Sequence, residues 1–227
     1  MPVFQLSDEP IFPLPEMAEP DGLLAVGGDL SPERLLKAYS MGIFPWYSQG
    51  DPILWWSPSP RLILDLEDFK ISRRLQRLIG QGRFRVTVDQ AFSEVIRSCA
   101  KTPRPLGDGT WVTPEMIEAY CHLHELGYAH SIESWVGDEL AGGLYGVAIA
   151  KVFFGESMFA SVTDSSKVAL AALVAQIKKW DFDFIDCQVK TDHLISLGAK
   201  EISGEEFRTR LARAVNRPSR KGKWEFK

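Results

Sequence analysis

Residues 152–189 read VFFGESMFASVTDSSKVALAALVAQIKKWDFDFIDCQV. This stretch is a strand over about 152–159, a very apolar helix over about 165–179 and a second strand over 184–189. Two more apolar strand candidates precede it, 129–136 and 139–150, and the Gly137-Asp138 turn between them supports an antiparallel hairpin. Antiparallel strands followed by helix, strand and helix predict an α/β (α+β) protein, a mixed sheet covered by helices.

Outward from this centre, Ser72 is the expected cap of a basic helix, Phe84–Val88 a strand, and Asp89 the cap of a helix running to about Ala100. Thr102–Thr110 is a loop rich in proline and glycine, and Thr113-Pro114-Glu115 opens a helix that Gly127 closes. Ser203 with Glu206 is a capping box for a last helix. Residues 1–20 carry five prolines and read as an irregular lead-in. In the following unit Leu23–Val26 reads as a strand, Ser31-Pro32-Glu33 starts a helix and Gly42 stops it. Strands at Ile53–Trp56 and Leu62–Leu66 flank the Pro58/Pro60 turn. The expected division is a small N-terminal domain, 1–65, and a main domain, 66–227.

The 227 residues are 45% hydrophobic and 25% charged, enough to bury a substantial core. No run approaches the roughly 18 apolar residues of a membrane helix, and Met1–Pro20 lacks the features of an export signal. Cys99, Cys121 and Cys187 lie too far apart for a disulfide framework, so a cytoplasmic setting and no membrane partner are expected. Net charge is −4, unevenly spread. Residues 70–85 carry +6 from Lys70, Arg73, Arg74, Arg77, Arg83 and Arg85, and residues 208–227 carry +7, leaving −17 on the rest. That pattern suits a protein holding a polyanion on one surface and a cation on another; a solvated helix face and a frayed basic tail are the plainer reading.

Phosphate-loop, dinucleotide, zincin and nucleophile-elbow motifs are missing, and His122, His124, His130 and His193 are not spaced with the cysteines as zinc ligands. No metal and no cofactor is expected. Ala141–Gly146 is glycine-rich but lies within a strand pattern, where close backbone approach is the better reading.

Two polar anomalies remain. Asp186 and Gln188 stand two apart in an apolar strand, so a regular strand points both to one face. Such a pair is either hydrogen-bonded to a nearby loop or functional. Glu156 sits among aromatic residues and needs a partner, either an internal Arg or Lys or a cationic substrate group. On a regular strand Met158 shares its face and Phe153 lies on the other. Tryptophans gather in turns, at Trp46, Trp55-Trp56 and Trp111, where aromatic rings either pack in the core or stack on bases.

Taken in order, Asp21-Gly22-Leu23-Leu24-Ala25-Val26-Gly27-Gly28-Asp29-Leu30-Ser31, Gly42-Ile43-Phe44-Pro45-Trp46, Trp55-Trp56-Ser57-Pro58, Gly109-Thr110-Trp111, Gly142–Gly146, Phe154–Phe159, Ile185-Asp186-Cys187-Gln188, Asp192-His193 and Leu197-Gly198-Ala199 resemble the bacterial leucyl/phenylalanyl-tRNA–protein transferase family. The resemblance spans roughly residues 10–200. It implies a main domain similar to the N-acetyltransferase (GNAT-like) fold and a soluble, metal-free enzyme. The implied reaction moves leucine or phenylalanine, and by extension methionine, from aminoacyl-tRNA to proteins beginning with Arg or Lys, marking them for N-end-rule degradation. By the same resemblance Asp186 and Gln188 are the catalytic pair, with Glu156 in their polar site. Leu144, Phe153, Met158, Leu173 and Ile185 form the donor's apolar pocket, and Trp46 and Trp111 contact the terminal adenosine. The basic segments hold the tRNA backbone, and a monomer is expected.

Two departures bear on pocket shape. Residues 160–166 read ASVTDSS where relatives often carry an arginine and an Asn-Ala-Ser-Lys-like sequence, and Leu173 replaces the phenylalanine of some members. Two rival functions stand beside this one. A coenzyme-A-dependent N-acyltransferase needs a glycine-rich pyrophosphate loop, and residues 160–167 contain no glycine. A non-catalytic adaptor for basic protein N-termini needs neither the basic segments nor an apolar pocket.

Overall fold

The computed structural model describes residues 3–102 and 112–226. In chain order the elements are β1 (Phe4–Leu6), β2 (Leu23–Gly27), α1 (Pro32–Ser40), β3 (Phe44–Pro45), β4 (Leu54–Trp56), β5 (Arg61–Asp65) and α2 (Arg73–Gly80). There follow β6 (Arg85–Val88), α3 (Phe92–Lys101), α4 (Pro114–Glu125), β7 (Ala129–Val136), β8 (Glu139–Ile149), β9 (Val152–Ala160) and α5 (Ser165–Lys179). The chain ends with β10 (Phe184–Gln188), α6 (Asp192–Ser196), β11 (Lys200–Ile202) and α7 (Gly204–Val215).

Two sheets result, a four-stranded one ordered β1-β2-β4-β3 and a seven-stranded one ordered β11-β5-β10-β9-β8-β7-β6. The lead-in is therefore not wholly irregular, because Phe4–Leu6 pairs parallel to β2. Buried Arg34 pins this segment by donating to the carbonyls of Ser7, Asp8 and Glu9 at 2.9–3.0 Å. The strand after the Pro58/Pro60 turn, grouped by sequence with the first unit, is hydrogen-bonded into the large sheet between β10 and β11.

Helix starts follow local chemistry. Ser72, Thr113 and Ser203 each accept the N–H three residues on, at 3.1–3.3 Å. Asp89 does not cap α3. It takes a left-handed conformation (φ 54°), the N-cap position falls on Ala91, and the Ala91 N–H donates to the Glu133 carboxylate from β7 at 3.3 Å.

Helix α5 covers one face of the large sheet; α3 and α4 cover the other, with α1 and α7 beside them. The apolar cluster under α5 includes Leu144, Phe153, Leu173 and Ile185, whereas Tyr39, Tyr120, Phe154, Phe184 and Phe207 belong to the opposite layer. Burying each such Leu or Phe contributes about 1.5–3 kcal/mol. The glycines of β8 allow tight layers: a Cβ at Gly146 would lie 2.2 Å from the Phe154 carbonyl oxygen, and one at Gly142 2.1 Å from Ser165 Oγ.

Candidate active site

Strands β9 and β10 run parallel and share register only from Phe184↔Val152 to Asp186↔Phe154. Beyond that point β9 continues to Ala160 against β8, while Gln188 pairs with Leu62 of β5. The two strands part there. The polar residues singled out in the sequence stand at the parting.

Two irregularities shape it. Between β8 and β9, Tyr145 pairs with Ser157 and Gly146 with Gly155, so Glu156 is the extra residue of a bulge. The bulge breaks the alternation. Glu156 turns to the layer of Tyr39 and Tyr120, and Met158 packs on the α5 side with Phe153. The expectation that Glu156 and Met158 share a face is thereby corrected. On β10 the register shifts between Asp186 and Gln188, and Gln188 is left-handed (φ 62°). A non-glycine residue holds that conformation only where its surroundings fix it.

Asp186 is fully buried, and its partner is Arg61 at the start of β5. Arg61 Nε donates to Asp186 Oδ1 at 2.8 Å and Nη2 to Oδ2 at 2.6 Å, a two-pronged ion pair. The Gln188 N–H also donates to Oδ1, at 2.9 Å. The Gln188 side-chain amide then donates to Glu156 Oε1 at 2.8 Å across the gap, and Tyr120 Oη donates to Glu156 Oε2 at 3.1 Å. Tyr39 and Tyr120 hydroxyls bond to each other behind it. Burial pushes the Glu156 pKa up to about 7, with hydrogen bonds from Tyr39, Gln188 and Tyr120 opposing and the Asp186 charge adding to the rise. Burial, reinforced by Glu156, also raises Tyr39 and Tyr120 well above the ordinary phenol value.

The five apolar residues named from sequence meet in one place. Leu144, Phe153, Leu173 and Ile185 are buried together, and half-buried Met158 packs against them. They lie on the opposite face of the sheet from the polar line, because Ile185 and Asp186 are neighbours on a strand and must point apart.

Trp46 is 41% exposed and held in place by Trp56, whose Nε1 donates to the Trp46 carbonyl at 2.7 Å. Trp111 lies outside the described residues. Lys70, Arg73, Arg74, Arg77, Arg83 and Arg85 are all exposed, on α2 and its flanks; Arg74 pairs with Asp164 at 3.1 Å. The second basic segment behaves differently. Arg210 pairs with Asp65 and Arg217 with Asp181 and Asp183, Arg220 lies 4.0 Å over the Trp180 ring, and Trp224 is buried. It is tied to the body, not a frayed tail.

Sequence reasoning missed Arg61, Tyr39 and Tyr120. An arginine heading the apolar run Leu62–Leu64 was the one available signal, since a charge at a buried strand end needs a partner.

A mixed sheet whose central parallel pair parts beside a buried carboxylate–amide line, on a chain that also exposes a basic segment on α2 and its flanks, suits the class of acyl-transferring enzymes. Comparison with known proteins narrows the class. A family model described as leucyl/phenylalanyl-tRNA protein transferase matches residues 63–212, and the model of that family's N-terminal domain matches residues 28–59. The leucyl/phenylalanyl-tRNA–protein transferase of Anaeromyxobacter sp. (strain Fw109-5) is 57% identical over 226 residues, covering 100% of this chain and 96% of that protein. The one from Anaeromyxobacter dehalogenans (strain 2CP-C) is 56% identical, covering 100% of this chain and 97% of that protein. The chain belongs to the leucyl/phenylalanyl-tRNA–protein transferase family and is an aminoacyltransferase. Among solved structures, a GCN5-related glucosamine N-acetyltransferase region of a fungal multi-domain protein aligns with TM-score 0.44 and 13% identity, over 80% of this chain and 24% of that one.

Proposed function

We propose that this chain transfers leucine or phenylalanine, and also methionine, from aminoacyl-tRNA to the α-amine of proteins beginning with Arg or Lys. It acts as a cytoplasmic monomer and marks those proteins for N-end-rule degradation. The observation that carries this reading is the Gln188–Glu156 hydrogen bond spanning the point where β9 and β10 part, with Asp186 buried behind it. Leu144, Phe153, Met158, Leu173 and Ile185 receive the donor side chain; Trp46 and Trp111 stack on the terminal adenosine. Lys70, Arg73, Arg74, Arg77, Arg83 and Arg85 hold the tRNA backbone. A pocket built of such residues separates similar apolar side chains by only about 1–3 kcal/mol, which suits acceptance of more than one amino acid. No described helix is long and apolar enough to cross a membrane, which is compatible with the cytoplasmic reading.

The amine nitrogen attacks the aminoacyl carbonyl carbon, a C–N bond forms, the ester C–O bond breaks, and the 3′ oxygen takes up the proton the amine sheds. An α-amine titrates at about 7.7–8.0, so deprotonation costs under about 1 kcal/mol at pH 7.5. Holding two reactants in place supplies about 7–11 kcal/mol. Positioning therefore dominates. Gln188 accepts a hydrogen bond from the attacking amine, Asp186 orients Gln188, and Glu156, titrating near neutrality, holds the proton in transit.

The test is direct: radiolabelled leucyl-tRNA and an arginine-starting peptide are incubated with the protein and no coenzyme A. Covalent label on the peptide is expected. No label from leucyl-tRNA but label transferred from a radiolabelled acyl-coenzyme A, or peptide bound without label, would replace the reading by a coenzyme-A-dependent acyltransferase or an adaptor.

A further inference from the structure

Every oxygen of Asp186 is engaged. Oδ1 accepts from Arg61 Nε and from the Gln188 N–H, and Oδ2 accepts from Arg61 Nη2. Asp186 therefore acts on its surroundings through Gln188, and Arg61 decides how Asp186 stands. Arg61 is itself fixed: it is 1% exposed, and its guanidinium lies between the rings of Phe44 at 4.8 Å and Phe207 at 4.6 Å. These rings come from β3 of the small sheet and from α7, so three separate segments set the plane of one fork. The fork matches a carboxylate in a way that a lysine ammonium does not. The carboxylate so held captures the Gln188 N–H at the bulge, where the Gln188 backbone is left-handed. That turn is what sends the Gln188 amide to Glu156 instead of continuing the strand.

We propose that Arg61 is a positioning residue for aminoacyl transfer: by fixing Asp186 it holds Gln188 in its left-handed turn and aims the Gln188 amide at Glu156. This rests on the reading of Gln188 and Glu156 as the reacting groups. A purely structural ion pair would change stability and leave the Gln188 geometry and the turnover of folded enzyme alone.

Arg61→Lys, Asp186→Asn and the double variant separate the two. For each, kcat and KM for transfer from leucyl-tRNA to an arginine-starting peptide are measured, together with hydrogen exchange of the Gln188 backbone amide in the substrate-free protein. Expected for Arg61→Lys are a kcat lower by tenfold or more, KM for leucyl-tRNA within twofold of the parent, and Gln188 exchange faster by tenfold or more. The double variant is expected to lose no more kcat than Asp186→Asn alone, since both act through one chain of contacts. A parent that transfers leucine while Arg61→Lys keeps its kcat and slow exchange overturns the proposal alone. Multiplying losses in the double variant also overturn it. A parent that transfers nothing sinks the reaction, and the proposal with it. Should Arg61→Lys fold poorly, Asp186→Asn decides by itself: its Gln188 amide must exchange faster, and unchanged slow exchange contradicts the proposed linkage.

Discussion

The large sheet and its margin hold two buried carboxylate pairs, and they are satisfied in different ways. On β6–β7, Asp89 accepts from the Ser131 N–H at 3.0 Å, the Trp224 N–H at 2.8 Å and His130 Nδ1 at 2.9 Å. Glu133 beside it takes the Ser131 and Thr87 hydroxyls and the Ala91 N–H. On β9–β10, Asp186 and Glu156 are just as buried, yet Glu156 is met by side chains alone, the Tyr39 and Tyr120 phenols and the Gln188 amide. Each pair even involves a left-handed residue, Asp89 itself in one and Gln188, bonded to both carboxylates, in the other. The difference lies in the strands. Glu133 stands inside the β6–β7 ladder and Asp89 one residue past the end of β6, and backbone groups from three segments satisfy the pair, so it fastens α3 and the C-terminal segment to the sheet. The β9–β10 pair sits where strands separate, and its Glu156 is held from the flanking layer and from across the gap.

The sharpest way to break this contrast is to disable each pair in turn. Gln188→Ala should lower kcat by about 10²–10⁴-fold, the range of a positioned proton-handling group, with little change in stability. Stopped transfer reactions at saturating leucyl-tRNA measure it, and a loss below fivefold would remove Gln188 from the reaction. Asp89→Ala should do the reverse. Leaving His130 and two backbone N–H groups unmet costs about 1–3 kcal/mol per group, read from urea unfolding followed by tryptophan fluorescence. The kcat of the folded fraction should stay within twofold.

The two basic segments give the same kind of contrast at smaller amplitude. Arg73, Arg74 and Arg77 are exposed, so replacing all three with alanine should weaken tRNA binding about 10–100-fold and flatten its dependence on salt. Arg210 is engaged with Asp65, and Arg210→Ala should leave the salt slope unchanged while lowering stability slightly. Filter binding over a salt series distinguishes them; equal slopes for both variants would dissolve the distinction.

These contrasts mirror what could be read before folding. The strand–helix–strand of 152–189, the hairpin at Gly137-Asp138 and the caps at Ser72, Thr113 and Ser203 were legible because each rests on local chemistry or periodicity. Asp186, Gln188 and Glu156 stood out because polar groups in apolar strands need partners. The partners themselves were hidden: Arg61 lies 125 residues from Asp186, and Tyr39 lies 81 from Tyr120. Periodicity also carries no sign of a bulge, which is why Glu156 and Met158 were placed on one face and fold to two. Asp89 read as a cap because its residue type favours that role, whereas tertiary hydrogen bonds assign it to the sheet and the C-terminal segment.

In the proposed mechanism Glu156 exchanges a proton at the parting of β9 and β10. Burial raises its folded pKa from 4.5 to about 7, so folding binds a proton there. Its contribution to stability is therefore present below about pH 4.5 and is lost as pH rises through about 7, by up to about 3 kcal/mol. Activity runs the other way, because the anion is the form that accepts a proton. The most direct test is the single-turnover rate of leucyl transfer from pH 5.5 to 9 in the parent and in Glu156→Gln. The parent should show two inflections, one near pH 7 from Glu156 and one near pH 8 from the acceptor amine, and the variant should keep only the second. An inflection near pH 7 that survives in Glu156→Gln would contradict the account.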